Sequence, residues 1–216
     1  MLKVGVLISG RGSNLKSLLA ACAAPGFPAK IVCVISNKAD AKGLDYAREA
    51  KIPAIVISHR DYPDRQKFEE ALDVELNKHS VELVCLAGFM RLLTAWFVER
   101  WQDRLVNIHP SLLPAFPGVD THQKVLDYGA KVAGLTIHYV RAEMDHGPII
   151  LQAVVPVLDG DTEEVLAARV LQAEHKAYPT ALKMIAENRV NVHRDCTFIA
   201  DATPSCEELF NPKPIV

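Results

Sequence analysis

The sequence predicts an α/β protein with a mostly parallel central sheet and helices on both faces. Three observations carry that prediction. Short apolar, β-branched runs alternate with segments of helical spacing through the first hundred residues. The runs are apolar on both faces, as strands covered by helices on each side must be. A glycine loop stands between the first run and the first helix, the opening of a βαβ unit.

Taken in order, Val4 to Ile8 reads as the first strand and Leu15 to Ala24 as the first helix. Lys30 to Ser36, Ala54 to Ile57 and Leu83 to Leu86 follow as strands, with helices over Ala41 to Ala50 and about Asp64 to His79 between them. This half, residues 1–100, is Rossmann-like. A short strand from Arg104 to Ile108 runs into His109 to Gly118, where three prolines forbid a helix and impose an extended loop. Ala133 to Val140 and Ile149 to Val157 read as two long strands joined by the loop Arg141 to Pro148. A helix from Thr162 to Glu187 comes next, with Asp161 or Thr162 as its N-cap. Short strands beyond Arg189 and a loosely held tail, 201–216, complete the expectation of one domain over 1–216.

Composition narrows the function. Of 216 residues, 50% are hydrophobic and 23% charged, a globular balance. Lys and Arg number 24 against 26 Asp and Glu, for a net charge of −2, so a polyanion-binding surface is not expected. A single bound phosphate needs only a local site. No apolar run approaches the roughly 20 residues needed to cross a bilayer. The five cysteines form no CxxC pair, which reads as reduced thiols in the cytoplasm.

Two constellations carry chemistry. In Ser9-Gly10-Arg11-Gly12-Ser13-Asn14, glycines allow a tight turn, and a helix N-terminus offers N–H groups to an anion. The dinucleotide fingerprint fails, because Leu15 replaces the third glycine and the second strand ends in Ser36-Asn37 without an acid. That disfavours a NAD-dependent oxidoreductase. What remains is a phosphate-monoester cradle, or a plain turn in which Ser13 or Asn14 caps the helix.

Asn107 and His109 are the second constellation. They leave one face of a strand end, an arrangement suited to stabilising a developing oxyanion. A carboxylate beside the histidine favours its charged form, with Asp120, Asp127 and Asp145 as candidates. Asp145 stands out for its place in the loop between two strands. His109, His122, His138, Asp145 and His146 are metal-ligand types without ligand spacing, so no metal is expected. His138 shares a strand face with Thr136, its role open between structure and site.

These segments resemble the phosphoribosylglycinamide formyltransferase family, the folate-dependent glycinamide ribonucleotide transformylases of purine synthesis. The resemblance lies in Ile8 to Leu15, Ser36 to Asp40, Leu86 to Arg91, Asn107 to Pro114, Phe116 to Gly118 and Asp145 to Ile150. It implies the formyltransferase fold, with residues 101–200 as the catalytic and folate-binding half. It implies Asn107, His109 and Asp145 as catalytic residues, with Gly12, Ser13, Asn14 and Glu174 holding the ribonucleotide. Arg65, Met90, Arg91, Leu92, Leu93 and Asn107 would bind the folate. The co-substrate implied is 10-formyltetrahydrofolate. The partners expected are small molecules rather than nucleic acid or membrane, and the state a monomer or homodimer.

Alternatives within this chemistry are a formyltransferase for another small amine, such as an amino sugar nucleotide, and a formyltetrahydrofolate hydrolase. Relatives acting on methionyl-tRNA or hydrolysing the folate carry an added domain, for which 216 residues leave no room.

Overall fold

The computed structural model describes residues 1–203 and 209–212. A seven-stranded sheet has the order β3-β2-β1-β4-β5-β6-β7. β1 (Leu2–Ile8), β2 (Ala29–Ser36), β3 (Ala54–Val56), β4 (Leu83–Leu86) and β5 (Leu105–His109) run parallel. β6 (Val132–Tyr139) and β7 (Ile149–Pro156) are antiparallel additions at the β5 edge. A separate hairpin, β8 (Val190–His193) with β9 (Cys196–Ile199), follows.

Strand alternation sorts the core into two layers. From β1, Val4, Val6 and Ile8 join a cluster with Leu15, Leu18, Val170 and Tyr178, from α1 (Ser13–Cys22) and α6 (Glu163–Ala186). Leu7 faces the other way, into a cluster with Phe68, Leu72 and Phe97, from α3 (Arg65–Lys78) and α4 (Ala95–Arg100). α2 (Gly43–Glu49) and α5 (Thr121–Tyr128) join the first layer through Leu44 and Val125. Helices thus cover both faces, as the doubly apolar strands require.

Several expected details change. α1 begins at Ser13, two residues early, and its N-cap is Gly12 in the left-handed region (φ 73°) with no side-chain cap. Neither Ser13 nor Asn14 therefore caps it. Thr162 caps α6 by accepting from the Val165 amide, while Asp161 instead pairs with Arg169 at 2.6 Å. α4 and α5 were not expected. Both are short, at 6 and 8 residues, and α5 follows a proline-rich loop whose composition masks it. Of the tail, 204–208 and 213–216 lie outside the described residues. Asn211 between them is held, donating to the Lys131 and Val157 carbonyls at 2.6 and 2.7 Å.

Candidate active site

β1, β4 and β5 point the same way, so the loops that follow them open on one edge of the sheet. Strand order reverses between β1 and β4, the position where open α/β sheets receive ligands.

The glycine loop leaves β1 at this crevice. Gly12 packs so closely on Gly43 that a Cβ on Gly12 would lie 2.6 Å from the Gly43 Cα. The Gly43 amide donates to the Gly10 carbonyl at 3.0 Å. The two glycines let the start of α2 buttress the turn that opens α1. Sequence reading missed Gly43, whose only signal is its position at a helix start.

At the second residue of α1, Asn14 donates from Nδ2 to Glu174 Oε2 on α6 at 2.6 Å, and both residues are buried. Burial raises the Glu174 carboxyl above its ordinary pKa, and the Asn14 hydrogen bond opposes that shift. The Asn14 Oδ1 atom is buried without a hydrogen-bond partner among the described residues. It is an acceptor aimed at no protein donor. Ser13, half-buried, stands beside it.

The loop after β4 carries Met90, Arg91, Leu92 and Leu93, none of them in a helix. It is strapped at both ends. The Met90 amide donates to Ser9 Oγ at 2.8 Å, and the Thr94 amide to Glu69 at 2.8 Å. So fixed, it leaves Met90 68% and Leu92 57% exposed, large apolar side chains presented rather than packed. Arg65, the first residue of α3, and Arg91 line one cavity of about 210 Å³ with His59, Tyr62 and Phe68. The Ser9 hydroxyl also donates to Asn37 at 2.6 Å, and Asn37 meets His59 at 3.3 Å. That chain of hydrogen bonds joins the glycine loop to the arginine cavity.

At the end of β5, Asn107 lies opposite His138 and His109 opposite Thr136 on β6. The four therefore share a face. His109 is buried, with Nδ1 3.3 Å from Asp145 Oδ1 and Nε2 3.2 Å from the Phe116 carbonyl. Each ring nitrogen faces an oxygen acceptor, a carboxylate on one side and a carbonyl on the other. The other Asp145 oxygen accepts from the Gly118 amide at 2.6 Å. Asp120 and Asp127 take no part: both are exposed, and Asp127 pairs with Gln123.

His138 turns out to serve Asn107. Its Nδ1 donates to the Tyr139 carbonyl at 3.0 Å, which leaves Nε2 as an acceptor for Asn107 Nδ2 at 3.4 Å. Burial lowers the His138 pKa and favours this neutral form, with the Tyr139 carbonyl and the Asp145 charge pulling the other way. The amide nitrogen of Asn107 carries a second hydrogen that this contact does not use. His122 is likewise pushed down by burial and by the neighbouring His109 charge. No group of three or more metal-ligating side chains occurs among the described residues, and no helix there is long and apolar enough to cross a membrane.

The structure thus gathers the expected residues in pairs. His109 meets Asp145, Asn14 meets Glu174, and Arg65 shares a cavity with Arg91. Asn107 reaches its neighbours through the strand and His138 rather than by touching Asp145.

Comparison with known proteins places the chain in a family. The formyl transferase family pattern matches residues 2–182. The phosphoribosylglycinamide formyltransferase of Escherichia coli is 40% identical over 92% of this chain and 93% of its own. The trifunctional purine biosynthetic protein adenosine-3 of Gallus gallus is 50% identical over 88% of this chain, which spans only 19% of that longer protein. Among solved structures, glycinamide ribonucleotide transformylase 1 from Symbiobacterium toebii matches with a TM-score of 0.91 at 47% identity, covering 93% of this chain and 95% of that one. A formyltetrahydrofolate deformylase from Pseudomonas syringae shares the fold at 28% identity and a TM-score of 0.86, covering 93% and 66%. With the family pattern running from β1 into α6 and solved relatives matching nearly the whole chain, the protein belongs to the formyl transferase family.

Proposed function

We propose that the chain transfers a formyl group from N10 of 10-formyltetrahydrofolate to the amine of glycinamide ribonucleotide. The observation that carries this reading is the buried His109 ring, hydrogen-bonded to the Phe116 carbonyl and paired with Asp145, two residues from Asn107 on one strand face.

In this scheme the amine nitrogen attacks the formyl carbon, and the carbonyl π pair moves to oxygen. Asn107, through the N–H that His138 does not use, and the His109 imidazolium stabilise that oxyanion. The attacking nitrogen then loses a proton, with Asp145 as its relay. Collapse of the tetrahedral centre breaks the bond to N10, which takes up one proton. The products are the formamide and tetrahydrofolate, and no bond to the enzyme forms. Bringing two bound substrates together supplies much of the rate.

The glycine turn supports a phosphate monoester as the acceptor's anchor, with Glu174 and the unpartnered Asn14 oxygen suited to ribose hydroxyls. The exposed Met90 and Leu92 suit a flat folate ring. The arginines of the adjoining cavity suit the carboxylates of its glutamate tail.

The test is folate deformylation followed by absorbance, with and without glycinamide ribonucleotide. Deformylation that requires the ribonucleotide is expected. Deformylation without any acceptor would instead assign hydrolysis, the activity named for the Pseudomonas syringae neighbour. Asp145→Asn is expected to bind the folate normally and lower kcat by about 100-fold or more. Near-normal turnover would remove Asp145 from the mechanism. Added chelator is expected to leave the rate unchanged.

A further inference from the structure

The loop that carries Asp145 is closed at its neck by its own backbone. Tyr139 N–H donates to the Pro148 carbonyl at 2.9 Å and Arg141 N–H to the His146 carbonyl at 3.1 Å. Between these bonds Ala142, Glu143 and Met144 are exposed, and Asp145 itself takes a left-handed backbone (φ 53°). Such a loop needs support from outside to hold one carboxylate orientation.

That support comes from the β8–β9 hairpin, which lies beyond the segment matched by the family pattern. Its turn residues, Arg194 and Asp195, are both left-handed at φ 49° and 56°, the geometry of a tight two-residue hairpin turn. The turn delivers Asp195 to the first end of the loop. Asp195 Oδ1 accepts from Arg141 Nε at 2.9 Å and lies 2.8 Å from Nη2. The same guanidinium donates to Asp103 at 2.8 Å, in the turn before β5. Two residues after Asp195, the Thr197 hydroxyl donates to the Ile149 carbonyl, just past the other end of the loop.

We propose that the β8–β9 hairpin is a clamp on loop 141–148, with Asp195 and Thr197 as positioning residues that hold Asp145 against His109. The Asp195 side chain is 66% exposed, and an ion pair that open adds little to global stability. Its effect is orientation: it immobilises Arg141, which is 15% exposed and four residues from Asp145. Two hydrogen bonds from one short stretch of chain fix both ends of the loop, so the freedom left to Asp145 is small. The kinetic consequence rests on the formyl-transfer reading, whereas the effect on loop mobility does not.

The test uses the full chain with Asp195→Gly and Thr197→Val, singly and together. Glycine removes the carboxylate and suits the left-handed backbone, and valine keeps the shape of threonine without its hydroxyl. Hydrogen exchange of the amides of 142–147 is read beside steady-state kinetics and melting. In the double variant, exchange across 142–147 is expected to accelerate about tenfold or more. A displaced Asp145 is expected to lower kcat about tenfold, with the ribonucleotide KM within about twofold of wild type. Asp195→Glu and Thr197→Ser are expected to recover most of the loss.

Unchanged exchange and kcat would overturn the clamp. So would a loss of kcat shared equally by ribonucleotide binding and melting temperature, which marks general damage. If the wild-type chain deformylates no folate while the double variant still loosens the loop, the formyl-transfer reading falls and the clamp stands.

Discussion

Asn107 and His138 show how a single hydrogen bond decides what a side chain can do. An asparagine amide has two faces, and an oxyanion is stabilised only by the N–H side. His138 fixes that choice, because its Nδ1 is committed to the Tyr139 carbonyl and its Nε2 can only accept. His138→Phe would remove the acceptor and free the amide to turn. The expected result is a kcat lowered roughly tenfold with an unchanged ribonucleotide KM, because the disturbance is confined to the formyl-bearing end. Steady-state kinetics with both substrates varied would check it, and an intact kcat would return His138 to a packing role. In the sequence His138 was visible only as a histidine on a strand face with Thr136. Its service to Asn107 depends on β5–β6 register, which pairs residues 31 apart and leaves no local trace.

Among the elements, the pair of turns at Gly12 and Gly43 shapes the glycine loop proposed to anchor the ribonucleotide. A Cβ at Gly43 would lie 2.6 Å from Ile8 Cδ1 and 3.1 Å from the Gly12 Cα, and backbone cannot yield as a side chain can. Gly43→Ala is therefore expected to push α2 off the glycine loop and raise the ribonucleotide KM about tenfold or more, with a smaller effect on folate KM. Equal changes in both constants would mean the two loops move together through Ser9.

The parallel strands were readable because both faces are apolar, and the long helices because their periodicity spans several turns. α4 offers only Ala95 to Arg100, less than two turns, and α5 follows Pro114 and Pro117 with the polar start Thr121-His122-Gln123-Lys124. Neither gives periodicity enough room to register. The proposed catalytic residues stood out in the sequence by type and spacing, and as family motifs. The side chains that hold the site's loops were not legible, Ser9 and Glu69 at the loop after β4 and Asp195 and Thr197 at loop 141–148, since each acts on a residue distant in the chain.

For the whole molecule, histidines drawn from water set the response to acid: His138 is buried, and His122 and His175 are half-buried. His122, His138 and His175 all have pKa values lowered by burial. Each is neutral in the fold and more readily protonated in the unfolded chain. Stability they leave intact above the ordinary histidine pKa of about 6.5 is lost as pH falls below it toward their folded values. Glu69 and Glu174 have raised pKa values, again from burial, and act in the opposite sense. They recover stability only as pH falls through their folded values toward the ordinary carboxyl range. Melting temperature is expected to fall as pH drops from 7 through about 6, and a flat profile there would contradict the histidine assignment. His138→Phe should flatten part of that slope.

The bond between Asn14 and Glu174 has a consequence for how this molecule comes into being. It joins residues 160 apart, whereas β6 and β7 are joined by a short loop and can pair almost at once. Closing the longer span costs more chain entropy and waits on the sheet between. The order of assembly thus divides the site in time: the strands that flank Asp145 meet early, and the Asn14–Glu174 bond forms when the last helix settles on the first.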